Sequence, residues 1–234
     1  MCHTTDSRPP APPQFTSVAS HGARTLVAPD GAQVSAYRAD PVVSNGRSVV
    51  LLPDVRGLHP FYQDLTQRFA EAGFSAVAID YFARVDSDDP TDPSFDLMKH
   101  VALFDDASVT LDVAAAIAEL DGPVYTVGFC IGGSASWRQA AAGHERLAGA
   151  VGFYGLPGRA ADVAAEIDRP LLMLLAGADS ATTQEEFQAF ADSLASPYEM
   201  QVYDGAPHSF FDRAHGEWQD ACDDAWKRIL DFTA

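Results

Sequence analysis

Apolar and polar positions change rhythm along the chain, and each change predicts an element. Up to about residue 19, Pro9, Pro10, Pro12 and Pro13 break any period, and this stretch reads as a loose tail. Two short strand-like runs, 24–28 and 33–39, flank Pro29-Asp30-Gly31 and predict an antiparallel hairpin. From Ser48 the pattern alternates between short continuous apolar runs and longer runs with apolar residues at helical spacing. The apolar runs 48–53, 74–80, 124–128, 147–153, 171–176 and 199–203 predict strands, most of them buried on both faces. The helical runs are 61–72, 101–120, 132–142, 160–167, 184–194 and 217–232, with an acidic, Pro-containing loop at 86–94. Strand and helix in alternation imply a mostly parallel central sheet with helices on both faces, an α/β fold with an N-terminal antiparallel hairpin. With no internal repeat, linker or second core, residues 20–234 read as one domain behind a flexible 1–19 tail. In such sheets ligands bind beyond the carboxyl ends of the strands, so candidate chemistry is sought there.

Composition narrows the partners. The 234 residues hold 15 Lys plus Arg against 33 Asp plus Glu, a formal net charge of −18. That balance argues against nucleic acid and against anionic membrane surfaces. No apolar run approaches the ~20 residues of a spanning helix. The polar N-terminus lacks the apolar region of a secretory signal, so the cytoplasm is expected. Cys2, Cys130 and Cys222 are too few, and odd in number, for a disulfide framework, which fits a reducing compartment. No Cys-x-x-Cys or His-Glu-x-x-His motif is present, so neither a structural zinc site nor a zincin is indicated; no metal or cofactor is expected.

The strongest chemical signal is Gly128-Phe129-Cys130-Ile131-Gly132-Gly133, which follows one predicted strand and opens one predicted helix. It has the Gly-x-Ser-x-Gly form of a nucleophile elbow, with cysteine in the serine place. Small residues at 128 and 132 let strand and helix approach closely. The helix N-terminus favours the thiolate, and the Ile131 amide is free to donate to an oxyanion. The plain alternative is a small buried cysteine beside a glycine turn. A nucleophile needs a base, and His208 follows the strand 199–203. The base needs an orienting acid, and Asp179 follows the strand 171–176. Asp179 is also a good turn or N-cap residue. Asp168 and Asp204 are weaker rivals, because Asp168 precedes its strand and Asp204 lies only four residues before the histidine. Cys2 and Cys222 have no helix-entry setting or partner histidine and read as bystanders.

The order Cys130, Asp179, His208 is the nucleophile–acid–base order of α/β-hydrolases. Six separated segments extend the likeness: Pro53-Asp54-Val55-Arg56-Gly57, Ile79-Asp80-Tyr81-Phe82-Ala83-Arg84, the cysteine elbow, Gly152-Phe153-Tyr154-Gly155, Ala176-Gly177-Ala178-Asp179, and Gly205-Ala206-Pro207-His208-Ser209-Phe210. Over residues 33–232 the chain resembles the dienelactone hydrolase family. The resemblance implies the α/β-hydrolase fold and a cofactor-free hydrolase for small esters or enol lactones, of the kind met in the breakdown of aromatic compounds. It implies that Arg84 holds a substrate carboxylate, the alternative being a surface arginine paired with Asp86 or Asp88. A second carboxylate-binding arginine corresponds most nearly to Arg213, with the spacing shifted by one and Asp212 competing for the place. The family's thiol-activating glutamate corresponds to Asp54, one methylene shorter, which either reaches Cys130 through water or serves another role. The Val55 amide remains as a second oxyanion donor. Asp80 reads as structural, and the aromatic residues flanking these motifs read mostly as core.

The expected enzyme is thus a carboxylic ester hydrolase working through a thioester on Cys130. The alternatives are a thioesterase or general carboxylesterase of the same fold and, outside enzymes, a ligand-binding or redox-sensing protein built around the Cys130 thiol. The expected partner is a small ester or lactone carrying a carboxylate, acted on by a monomer or weak homo-oligomer.

Overall fold

A computed structural model of the chain describes residues 7–84, 92, 94–211 and 216–234. Its centre is an eight-stranded sheet formed by β1 (Val18–Val27), β2 (Gln33–Pro41), β3 (Ser48–Leu52), β4 (Ser75–Asp80), β5 (Val124–Phe129), β6 (Leu147–Phe153), β7 (Leu171–Ala176) and β8 (Tyr198–Tyr203). The spatial order is β1-β2-β4-β3-β5-β6-β7-β8. Strand β2 runs antiparallel to both neighbours, and the remaining pairs are parallel. This is the α/β-hydrolase arrangement.

The continuous apolar runs become strands because both sheet faces are covered. In β3, Val49 and Leu51 enter one core with Phe61, Leu65 and Phe69 of α1 (Pro60–Glu71) and Trp226 and Ile229 of α6 (Gln219–Phe232). Val50 and Leu52 enter the core on the other face, beneath Val113, Ala116 and Ile117 of α3 (Asp106–Ala118). On that same face α4 (Ile131–Gln139) and α5 (Gln184–Asp192) cover β6 and β7 through Trp137, Phe187 and Phe190. From β3 the chain passes to β4 on one side and reaches β5 on the other. The crevice beyond the ends of β3 and β5 is therefore the topological switch point.

Three predicted elements take a different form. The single helix expected over 101–120 is two, α2 (Leu97–Leu103) and α3, because Phe104 is extended (ψ 121°) and Asp105 caps the second helix by accepting the Ser108 N–H at 2.9 Å. The helix expected over 160–167 is a pair of 3₁₀ turns, Pro157–Arg159 and Ala161–Glu166. The final helix begins at Gln219, after a 3₁₀ turn at Gly216–Trp218. The loop expected at 86–94 lies outside the described residues except for Asp92 and Ser94.

The stretch expected as a loose tail packs from Ser7 onward. Ser7, Pro9, Pro10 and Pro12 are buried, the Pro10 carbonyl accepts the Trp226 indole N–H at 3.2 Å, and Thr16 N–H donates to the Glu71 carbonyl at 2.7 Å. Proline rules out helix and strand there, but its ring is a good apolar surface for the indole. The expected boundary after residue 19 falls inside β1. Among the described residues, no helix is long and apolar enough to cross a membrane.

Candidate active site

Cys130 joins β5 directly to α4, with φ 56° and ψ −120°, in backbone space that L residues rarely enter. The turn is held from both sides. Cys130 N–H donates to the Phe153 carbonyl at 3.1 Å, and its own carbonyl accepts the Gly133 N–H at 2.9 Å. Glycine is required on either side for lack of space. A Cβ on Gly128 would sit 1.8 Å from the Gly132 carbonyl oxygen, and one on Gly132 would sit 2.2 Å from the Leu52 carbonyl oxygen. Ile131 is the first residue of α4, so its amide has no intrahelical acceptor and points out at the helix N-terminus with the other first-turn amides.

Asp179 and His208 come from the ends of adjacent strands, β7 and β8. Backbone hydrogen bonds stitch the two loops together: Gly177 N–H to the Tyr203 carbonyl and Ala178 N–H to the Ala206 carbonyl, each 2.9 Å. His208 Nδ1 lies 2.6 Å from Asp179 Oδ2, and Asp179 Oδ1 accepts the Ala181 N–H at 2.9 Å. A carboxylate can only accept, so Nδ1 is the donor, and in the neutral imidazole Nε2 is the nitrogen that can take a proton. The Asp179 side chain is 3% exposed and that of His208 18%, so the acid is shielded while the imidazole reaches the cavity. The Tyr154 ring lies 4.8 Å from the imidazole, centroid to centroid, and helps to wall it in.

The loop after β3 forms the third side. Asp54 is fully buried, and its Oδ1 accepts both the Arg56 backbone N–H (2.9 Å) and Nε (3.0 Å). Its amide donates to the Tyr62 hydroxyl at 3.0 Å. Burial, and then the nearby Asp54 charge, push the Tyr62 phenol well above its ordinary value, which keeps it neutral. Arg56 lies over the Phe61 and Tyr62 rings, 5.5 and 5.7 Å from their centroids. Between these fixed neighbours, the Val55 N–H makes no hydrogen bond among the described residues, while the Val55 carbonyl lies 3.3 Å from His100 Nδ1.

These three sides enclose a cavity of about 430 Å³. Cys130, Ile131, Val55, Asp179 and His208 all line it, together with Ser180, Ala181, Val101, Leu156 and Arg159. The structure does not bring Arg84 there. Its Nε donates to Asp112 at 2.7 Å, Nη2 also donates to Asp112, and Nη1 donates to Asp30 at 2.6 Å. Asp54 sits beside Val55, with its carboxylate held by Arg56. Arg213 lies outside the described residues. Asp80 accepts the Phe82 N–H at 3.1 Å, and burial pushes its pKa up. Asp168 pairs with Arg169 at 3.3 Å, and Cys222 is buried on α6 with its thiol toward the Phe210 carbonyl. Arg159 is the residue that sequence reasoning missed. It belongs to no motif, and its only signal was a cation soon after the end of β6. Among the described residues, no cluster of histidine, cysteine and acidic side chains is placed to hold a metal ion.

The sheet order, the strained turn before α4 and the strand-end loops around one cavity define an α/β-hydrolase. The comparison with known proteins goes further: the model of the dienelactone hydrolase family matches residues 34–234, and the chain belongs to that family. The carboxymethylenebutenolidase of Rhodococcus opacus is 31% identical over 250 residues, spanning 99% of this chain and 96% of that protein. A Salmonella typhi protein assigned as a carboxymethylenebutenolidase is 30% identical over 232 residues, 90% of this chain and 86% of its own length. Among solved structures, one assigned as a dienelactone hydrolase from Klebsiella pneumoniae superposes with a TM-score of 0.75 at 27% identity, covering 91% of this chain and 98% of that one. The Anabaena variabilis dienelactone hydrolase shares the fold, with a TM-score of 0.72 at 16% identity over 92% of this chain and 98% of its own. The chain is accordingly a carboxylic ester hydrolase acting on lactones or esters.

Proposed function

We propose that the enzyme cleaves a small ester or enol lactone through a Cys130–His208–Asp179 triad and a thioester intermediate. The observation that carries this reading is the juxtaposition of a strained cysteine at a helix N-terminus with an imidazole whose Nδ1 is held 2.6 Å from a shielded carboxylate, both on one cavity. Asp179 fixes the tautomer, so Nε2 takes the Cys130 proton. The thiolate attacks the carbonyl carbon, and the amides of Ile131 and Val55 receive the oxyanion. Collapse breaks the carbon–oxygen bond and expels the alkoxide or enolate, which takes the proton from the imidazolium and leaves His208 neutral. A water molecule, deprotonated by His208, then attacks the thioester, and the acid leaves as the thiolate re-forms.

An enol lactone suits this chemistry because ring opening releases a stabilised enolate, a good leaving group for a thiol nucleophile. A product of this kind belongs to the breakdown of aromatic compounds, in a cytoplasm that keeps the thiol reduced. The decisive experiment is stopped-flow mixing with an activated ester. The expected result is a burst of one leaving group per chain and a thioester-sized mass increase on the Cys130 peptide, both absent in Cys130→Ala. Full turnover by Cys130→Ala would sink the reading. A panel of lactones, esters and acyl thioesters separates a lactonase from a thioesterase or a general carboxylesterase. Reversible oxidation of Cys130 without turnover would favour a sensor.

A further inference from the structure

Ester cleavage needs a nucleophile, a base, oxyanion donors and apolar walls. Among the described residues that line the Cys130 cavity, Arg159 is the one arginine or lysine. Arg159 ends the 3₁₀ turn that follows β6, and neighbours fix that turn. Ser134 Oγ donates to the Leu156 carbonyl at 3.1 Å and accepts the Leu156 N–H at 2.7 Å, while Arg138 Nη1 donates to the Arg159 carbonyl at 2.8 Å. The guanidinium lies over the Phe104 ring, 4.9 Å from its centroid. A stacked guanidinium keeps its N–H edges available, and Arg159 makes no side-chain hydrogen bond or ion pair among the described residues.

That state is unusual in a chain with a formal charge of −18, where carboxylates are plentiful. Arg38, Arg56, Arg84, Arg138 and Arg228 each pair with one. The same charge repels an anionic substrate at long range, so any preference for one must arise from a local contact. We propose that Arg159 is the anion anchor of the cavity, selecting esters or lactones that carry a carboxylate over their neutral counterparts. The role falls to Arg159 because Arg84, already bound to Asp112 and Asp30, has spent its donors on the protein itself. The inference rests on Cys130 as the attacking group. It adds the residue that reads the substrate's carboxylate.

The test uses the thiol without requiring turnover. Iodoacetate and iodoacetamide alkylate a thiolate by the same displacement: the sulfur–carbon bond forms, the carbon–iodine bond breaks and iodide leaves. They differ in presenting a carboxylate or a neutral amide. Rates are measured at the Cys130 peptide by mass spectrometry and compared with a small free thiol. The expected wild-type ratio of iodoacetate to iodoacetamide rates exceeds that of the free thiol by about tenfold, the scale of one charge-assisted contact. Arg159→Gln is expected to lower the ratio with little change in the iodoacetamide rate, and Arg159→Lys to retain part of it. In turnover, Arg159→Gln is expected to raise KM for a carboxylate-bearing ester by more than it changes KM for the methyl ester. A wild-type ratio no higher than the free thiol's, or one that survives Arg159→Gln, overturns the anchor. An Arg159-dependent ratio without an acyl-enzyme burst would leave the anchor standing and sink the triad reading instead.

Discussion

Cys130 holds a backbone conformation that its neighbours impose, so the substitutions that disturb the site most are not confined to groups that react. Gly132→Ala would press a methyl group to within 2.3 Å of the Leu52 and Pro53 carbonyl oxygens. Both are backbone atoms, at the end of β3 and just beyond it, and cannot swing aside. We expect a loss of stability above the ~1–3 kcal/mol typical of an overpacked core, measured by urea unfolding. Asp179→Asn acts in the opposite way, preserving shape while reversing a donor. An amide N–H toward Nδ1 turns that nitrogen into an acceptor, leaving Nε2 protonated and unable to take the thiol proton. The expected fall in kcat is on the order of 10³–10⁴-fold with an unchanged melting temperature, read by steady-state kinetics and circular dichroism. Cys130, Asp179 and His208, which line one cavity, were legible as candidates in the sequence because their demands are local: glycines at fixed offsets, and a position just beyond a strand. Arg159 was not, because nothing near it in sequence requires an arginine. Its place in the cavity depends on how the turn after β6 lies against Phe104, a residue contributed by a distant part of the chain.

Most strands were readable because burial on two faces writes an uninterrupted apolar run, whereas the helix over 101–120 concealed a break. Its apolar residues continue at helical spacing straight through Phe104, and the interrupting signal, Asp105 three residues before Ser108, is a cap embedded within the run. The break matters because it frees Phe104 to serve as the platform under Arg159. Asp105→Ala removes the cap and is expected to cost about 1 kcal/mol at neutral pH. The hydrogen bonds from Ser108 hold the Asp105 carboxyl below its ordinary value of 3.8. A carboxyl lowered in the folded state contributes stability above its unfolded pKa and loses it as pH falls through the folded one. The stability gap between wild type and Asp105→Ala should therefore be constant near pH 7 and narrow once the pH drops below 3.8, measured by urea unfolding across that range. A gap that persisted undiminished at the lowest pH would locate the cost in lost packing instead.

On the scale of the whole molecule, the contacts hardest to read from sequence join segments far apart in it. The tail offers no period, yet Pro10 meets Trp226 across 216 residues. Arg84 shows how such a contact redirects a residue whose motif points to substrate. Its guanidinium bridges the β1–β2 turn at Asp30 and helix α3 at Asp112, clamping the antiparallel edge of the sheet to the helical layer. The Arg84 side chain is 9% exposed, and that of Asp112 is fully buried. Charges so placed stabilise little against an apolar substitute, but removing one partner strands the other in a poorly solvated site. Arg84→Gln is therefore expected to destabilise the fold by ~3–5 kcal/mol, while surviving native protein keeps its iodoacetate preference at Cys130. Adding Asp112→Asn should recover part of that loss, since two neutral amides at the same positions leave no isolated charge, and the double-mutant cycle measures the coupling directly. If Arg84→Gln instead left stability untouched and abolished the charge preference, Arg84 would be the group that reads the substrate, and the clamp between sheet edge and helix would be incidental.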